Sequence, residues 1–155
     1  MPHTLVIGYG NPLRGDDAAG YAAAELLRGR ISNPQVEVLR EQQLLPEMLQ
    51  SIAQATRVIF IKASVSGRAG KYHRIPLRPA PVCGRFTHQA TPEALLAGAQ
   101  AVYGHTPEAV HYLIPGRFFE ASQEMTPSVR RAVKDLVDAL ALELDSMAAL
   151  QSSDT

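Results

Sequence analysis

Arg57-Val-Ile-Phe-Ile-Lys-Ala-Ser64, RVIFIKAS in one-letter form, holds four consecutive apolar residues, Val58 to Ile61, with no polar residue alternating among them. A strand covered on one face alternates in polarity. A continuous short run marks a strand of a parallel sheet covered on both faces. The neighbouring segments agree. Upstream, Leu45–Ala55 reads as a helix with Leu45, Met48, Leu49 and Ile52 on one side. Downstream, Gly67 and Gly70 make a turn, and Lys71–Ile75 alternates enough for a more exposed strand. Lys62 interrupts this picture, because it falls where the strand should still be inside or just emerging. A buried ammonium is costly unless paired or neutral. Lys62 therefore either reaches solvent at the strand end or sits in a site.

The same alternation of strand and helix extends to both ends. Thr4–Gly8 is a short apolar strand, followed by the loop Gly10–Asp17, punctuated by Gly10, Pro12 and Gly15. From Asp17 to near Gly29 the pattern is helical, with Ala18, Ala22, Leu26, Tyr21 and Leu27 expected on the buried face and Asp16 as its N-cap. Val36–Leu39 is a second strand. Arg78–Gly84 is a proline-rich loop. Thr91-Pro92 supplies a cap and a first-position proline for a helix to about Tyr103. Ala109–Ile114 is a last strand, and Thr126-Pro127 repeats the cap and proline. Val129, Val133, Leu136, Val137, Leu140 and Leu144 then form a helical stripe, and residues 151–155 read as a frayed tail after a single domain of residues 1–150. The expected architecture is an α/β three-layer sandwich, with a mainly parallel sheet of about five strands and helices on both faces.

The 155 residues suffice for one domain with a real core. Fifteen basic and fifteen acidic residues cancel, which removes the electrostatic case for nucleic acid or an anionic membrane as partner. No apolar run approaches the ~20 residues of a membrane span. The amino-terminal segment has no basic region before its apolar run and reads as a first strand, not a signal peptide. Cys83 is the only cysteine, which excludes an internal disulfide and a cysteine-cluster zinc site and suits a reducing cytosol. Nothing near it in sequence marks it as an activated nucleophile.

In sheets of this kind ligands bind beyond the carboxyl ends of the strands. The loop Gly10–Asp17 and the segment around Lys62 both qualify. The loop is not a dinucleotide fingerprint: its third glycine position is Leu13, and no acidic residue ends the second strand in the required way. Asp16 and Asp17 could supply a metal ligand or a general base, or could cap the helix and favour its dipole. The histidines His3, His73, His88, His105 and His111 form no close pair and no HExxH motif, and no GxSxG elbow is present.

IGYGNPLRGDDAAG (Ile7–Gly20) nevertheless resembles the opening of the nickel–iron hydrogenase maturation endopeptidases: a first strand, then G-x-G-N-x-L, two acidic residues, a small residue and a glycine. Gly8, Gly10, Asn11, Leu13, Asp16, Asp17 and Gly20 all fall in register. VIFIKASVSG resembles the third strand and following segment of that family. FTHQATPEALL resembles its histidine-containing segment, and LIPGRFFEASQEMTPSV its late strand end and last helix start. The likeness covers nearly the whole chain, in order. It implies a phosphorylase/hydrolase-like α/β domain in the cytoplasm, expected to be monomeric. It implies an enzyme that clips a carboxy-terminal extension from a hydrogenase large-subunit precursor once nickel is inserted. The nickel (Ni2+) is carried by that precursor, so the isolated protein is expected to hold none.

Carried over, the metal-recognising and catalytic residues are Asp17 and His88, with Asp16 in support. Asn11, Gln42 and Gln43 fall where substrate would be bound. The remaining ligand position, an aspartate in the family, is Lys62 here. A charged lysine has no acceptor and cannot ligate a divalent ion. Two readings stand. Lys62 could replace the metal electrostatically by pairing with Asp17, or its stem could lie along apolar surface while the ammonium reaches water. The first departure from the family thus points to an alternative function: a catalytically impaired homologue or engineered variant that binds a hydrogenase subunit or another partner without cutting it. A second departure is Arg40-Glu41-Gln42-Gln43-Leu44, which lacks the glycine- and threonine-containing loop linked to substrate choice in many relatives.

Overall fold

The computed structural model describes residues 3–80, 90–121 and 124–153, with side chains described as far as residue 147. Five strands form one sheet: β1 (Thr4–Tyr9), β2 (Val36–Glu41), β3 (Arg57–Ser64), β4 (His73–Leu77) and β5 (Glu108–Pro115), in the spatial order β2-β1-β3-β5-β4. The first four in that order are parallel, and β4 alone runs antiparallel, against β5. Pro76 lies in β4, an edge strand that tolerates the missing donor.

Among the described residues, four α-helices cover the two faces: α1 (Ala19–Arg28), α2 (Leu49–Gln54), α3 (Pro92–Tyr103) and α4 (Pro127–Ser153). Helices α1 and α4 pack over Val6, Ile59, Ile61, Val110, Tyr112 and Ile114. Helices α2 and α3 pack over Leu5, Ile7, Val58, Phe60 and Ala109. Successive β3 residues thus point into opposite cores, and both are apolar, which is why RVIFI does not alternate. The three-layer α/β sandwich is as expected.

Thr91 caps α3 as anticipated, its Oγ1 accepting from the Ala94 N–H at 3.1 Å. The stripe expected on α4 is buried throughout, and that helix continues to Ser153, into the stretch expected to fray. Several strands run further than expected: β1 reaches Tyr9, β2 reaches Glu41, β5 spans Glu108–Pro115, and β3 spans Arg57–Ser64, so that Lys62 lies inside a strand; β4 is His73–Leu77 in place of the expected Lys71–Ile75, because its bounds follow its pairing with β5. Helix α2 is shorter than expected, because Pro46–Met48 form a 3-10 turn ahead of it.

The expected buried face of α1 needs correction. Gly15–Ala18 form a 3-10 turn, and α1 buries Ala19, Gly20, Ala23, Ala24 and Leu27, while Leu26 faces water. Small side chains win because the helix lies almost on the sheet. A Cβ on Gly20 would stand 2.3 Å from the Ile61 carbonyl oxygen and 2.5 Å from that of Tyr9, and one on Gly8 2.1 Å from the Gly20 carbonyl oxygen. No side chain larger than hydrogen fits at either position. This close approach brings the start of α1 directly onto the carboxyl ends of β1 and β3.

Candidate active site

The chain leaves β1 toward β2 on one side and returns through β3 on the other, so the crevice at the carboxyl ends of β1 and β3 is the switch point of the sheet. The loop between β1 and α1 lies over it. Gly10 donates its N–H to the Glu41 carbonyl at 3.1 Å, which ties the loop to the end of β2. Its φ of 141° lets the backbone turn where a Cβ would collide with the Asp17 carbonyl at 2.2 Å.

Asn11 uses its side chain locally: Oδ1 accepts from the Leu13 N–H at 2.9 Å, an Asx turn. The Asn11 N–H in turn donates to Asp17 Oδ2 at 2.9 Å. Asp17 is half-buried, and its Oδ1 accepts no hydrogen bond from any described residue. One oxygen therefore shapes the loop, and the other remains for a ligand or a proton.

Contrary to the expectation from sequence, Asp16 does not cap α1, because its side chain turns the other way. It is fully buried, and its carboxylate joins the loop to the chain beyond β5. Oδ2 accepts from the N–H groups of Arg117 at 2.9 Å and Phe118 at 3.2 Å. Oδ1 accepts from the Thr126 N–H at 2.7 Å, and the Thr126 hydroxyl lies within 3.2 Å of both oxygens. The Asp16 N–H donates to the Phe118 carbonyl at 2.7 Å. Burial alone would raise its pKa; the four donors outweigh that and hold it below the usual carboxylate value. With every lone-pair direction engaged, Asp16 acts as a positioning residue.

Lys62 is half-buried on the face of β3 that carries Val58 and Phe60. It forms no ion pair or hydrogen bond with any described residue, so the pairing with Asp17, one of the two readings, is not made. The physical reason is the strand's alternation: Lys62 lies on the face of β3 covered by α2 and α3, whereas Asp17 lies in the turn that leads into α1 on the other face.

Sequence reasoning missed the polar pair beside Lys62. His111 lies in β5 opposite Phe60, buried, with Nε2 3.1 Å from the Tyr9 hydroxyl. The two rings stack at 6.1 Å between centroids, and Phe60 meets His111 edge-on. Burial first, and the Lys62 ammonium second, lower the His111 pKa to about 4. Burial and the Glu93 carboxylate raise that of Tyr9, so both groups are neutral at pH 7. No sequence spacing links residues 9 and 111; only the register of β1, β3 and β5 brings them together.

This has a consequence for stability. The folded pKa of His111 lies below its ordinary 6.5, so the unfolded chain binds the proton more readily. Its contribution to stability is complete above pH 6.5 and is lost as pH falls toward 4. Urea unfolding should show the free energy dropping across that window in this chain and levelling in His111→Gln. Equal slopes would exclude His111 as the source.

Gln42 and Gln43 are exposed in the bend after β2 and join none of these contacts. His88 and Cys83 lie outside the described residues. Among the described residues, no three histidine, cysteine or carboxylate side chains are grouped to hold a metal ion. No described helix is long and apolar enough to cross a membrane.

A three-layer α/β domain with a glycine-rich, diacidic loop over the switch point of its sheet is the class these features define. Its architecture is that of the nickel–iron hydrogenase maturation proteases. The maturation protease HycI from Thermococcus kodakarensis is 22% identical over 92% of each chain, with a TM-score of 0.76. The hydrogenase maturating endopeptidase HybD from Escherichia coli is 23% identical over 97% of this chain and 93% of its own, with a TM-score of 0.73. A further Escherichia coli endopeptidase is 25% identical over the same shares, with a TM-score of 0.67. No protein-family model and no curated protein matches the chain in sequence.

Proposed function

We propose that this chain is a maturation endopeptidase of the hydrogenase type, which removes the carboxy-terminal extension of a large-subunit precursor after nickel insertion. The observation that carries this is the loop over the switch point, where Gly8, Gly10 and Gly20 create the close packing and Asp17 keeps an oxygen free. In this reading nickel arrives with the precursor. Asp17 and His88 meet it, and Asn11, Gln42 and Gln43 face the incoming segment. A metal ion near a scissile peptide polarises its carbonyl or its bound water. Asp16 holds the loop in position and touches no substrate.

Lys62 favours a second reading, a binding protein of the same fold that does not cut. It occupies the third ligand position with a cation that pairs with no described residue. The two readings separate by experiment. Nickel-loaded precursor, incubated with this chain and with Lys62→Asp, should lose a short fragment by mass spectrometry if this chain is a protease. Retention of the intact precursor in a stable complex, with cleavage only by Lys62→Asp, would establish the binding protein. Calorimetric titration of Ni2+ should show binding rising at least tenfold in Lys62→Asp and falling again when His88→Ala is added. Unchanged binding across all three proteins would remove the metal assignment of His88 and of the Lys62 position.

A further inference from the structure

Twelve of the chain's fifteen basic residues are arginine, and three are lysine: Lys62, Lys71 and Lys134. Lys71 and Lys134 are exposed, and Lys62 alone is half-buried. The difference between the two residue types is chemical. A guanidinium keeps its proton, whereas an amine can give one up and become a nucleophile. Where this chain needs a paired cation it uses arginine, at Arg30, Arg40, Arg57 and Arg130, and among the described residues no lysine forms an ion pair. No described carboxylate therefore holds Lys62 as an ammonium.

The neighbours of this amine are polar and uncharged on two sides. Gly8 lies opposite Ile61 in the register of β1 and β3, so Tyr9 comes next, beside Lys62. On β5, His111 lies opposite Phe60. After burial, the Lys62 ammonium is what depresses the His111 pKa, which places the two close together. The Tyr9 hydroxyl and His111 Nε2 stand 3.1 Å apart. A neutral tyrosine and a neutral histidine carry two donatable protons, and their mutual hydrogen bond uses one. Whichever ring donates, one O–H or N–H is left over, and neither ring has another hydrogen bond among the described residues. Two carboxylates border the same place: Glu41, opposite Tyr9 in β2, and Glu93 on α3, which adds to burial in raising the Tyr9 pKa. They oppose a lone anion at Lys62 and favour one that is shared with a divalent cation.

We propose that Lys62 is a carbon dioxide site: its amine forms a carbamate, and the carbamate oxygens are the anionic ligand that an unmodified lysine cannot supply. The metal-binding half of this rests on the proposed function, in which the precursor's nickel is met at the Lys62 position. The ammonium first gives a proton to water. The neutral Nζ then attacks the carbon of CO2, a C–N bond forms, one C–O π pair moves onto oxygen, and a second proton leaves Nζ for water. Nothing is oxidised or reduced. A cationic side chain becomes an anionic one with two acceptor oxygens, the ligand type of a carboxylate. The spare donor of the Tyr9–His111 pair meets one oxygen, and the other is free for the cation.

The test equilibrates the protein with carbon-13 bicarbonate at mildly alkaline pH, with and without Ni2+. Trimethyloxonium then fixes any carbamate as its methyl ester, and peptide mass spectrometry locates it. Lys71 and Lys134 are internal references. Lys62 should carry at least ten times their label, and more with Ni2+ than without. Calorimetric titration should show Ni2+ affinity at least tenfold higher in bicarbonate than in buffer free of carbon dioxide. That gain should vanish in Lys62→Arg, which keeps the charge and forms no carbamate, and in Lys62→Asp, which brings its own carboxylate. Label at Lys62 no greater than at Lys71 and Lys134 overturns the inference, and this measurement needs no variant to fold. Equal Ni2+ affinity with and without carbon dioxide overturns the ligand role. Precursor cleavage, followed in parallel, separates the two proposals. Cleavage by a chain that takes no label at Lys62 sinks this inference alone. A labelled chain that neither binds nor cuts the precursor sinks the proposed function and leaves the carbamate standing.

Discussion

Asp16→Asn should lower the unfolding free energy by about 3 kcal/mol, because a fully buried carboxylate that accepts from three backbone N–H groups and a hydroxyl is replaced by a group that is half donor. If the remaining oxygen faces Arg117 and Phe118, the new amide confronts the Thr126 N–H, and two donors point at each other. Hydrogen bonds to a charged acceptor contribute about 1.5–3 kcal/mol each, and an orphaned buried donor costs about 1–3. The pH dependence gives an independent check. The folded pKa of Asp16 is lowered, so its stabilisation is present above the ordinary carboxylate value of 3.8 and disappears as pH falls through the folded one. Denaturant titrations from pH 7 downward should therefore separate the two proteins at neutral pH and show the gap narrowing once pH falls below 3.8. A neutral-pH difference below about 1 kcal/mol would mean that the loops beyond β1 and β5 are held by something else.

Gly20→Ala should be at least as damaging, for a steric reason. The added methyl would enter backbone on two sides, at the Ile61 and Tyr9 carbonyls. Backbone cannot rotate out of the way as a side chain can, so α1 must lift from the sheet. Overpacking costs about 1–3 kcal/mol where side chains give, and more where they cannot; a loss of 3 kcal/mol or more is expected. Gly29→Ala is the control, since its Cβ would meet only the Leu26 carbonyl oxygen, at an ordinary 3.6 Å, with a helical φ of −78°. It should be neutral or stabilise by about 0.4–1 kcal/mol through the unfolded chain. Thermal melts of the two variants should move in opposite directions. Similar melts would show that α1 is free to shift.

The architecture was readable because its signals are local. Four apolar residues in β3 announced a doubly covered strand, and Thr91-Pro92 announced a helix start, since period and cap chemistry operate within a few residues. The Asp16 network was not readable. Its acceptors and donors lie about a hundred residues apart, and the sequence around it equally suits a helix cap. The buried face of α1 was misread because alanines at Ala23 and Ala24 outrank Leu26 when a helix must lie flat on glycine. The Tyr9–His111 contact depends on strand register, which no single segment encodes. The Asp17–Lys62 pairing is not made because Lys62 lies on the face of β3 opposite the one that α1 covers, which depends on strand register and not on any local signal.

The Asp16 carboxylate also sets an order of events during synthesis. Its partners at Arg117, Phe118 and Thr126 follow it by 101, 102 and 110 positions. A growing chain can complete α1 and pair β1 with β2 long before those donors exist. Until the segment from Arg117 to Thr126 has emerged, the Asp16 carboxylate lacks its partners, and the loop that bears Asp17 is held only by its own hydrogen bonds and by Glu41. A chain released early would hold the β1–α1 loop without the anchor that Arg117, Phe118 and Thr126 supply to Asp16.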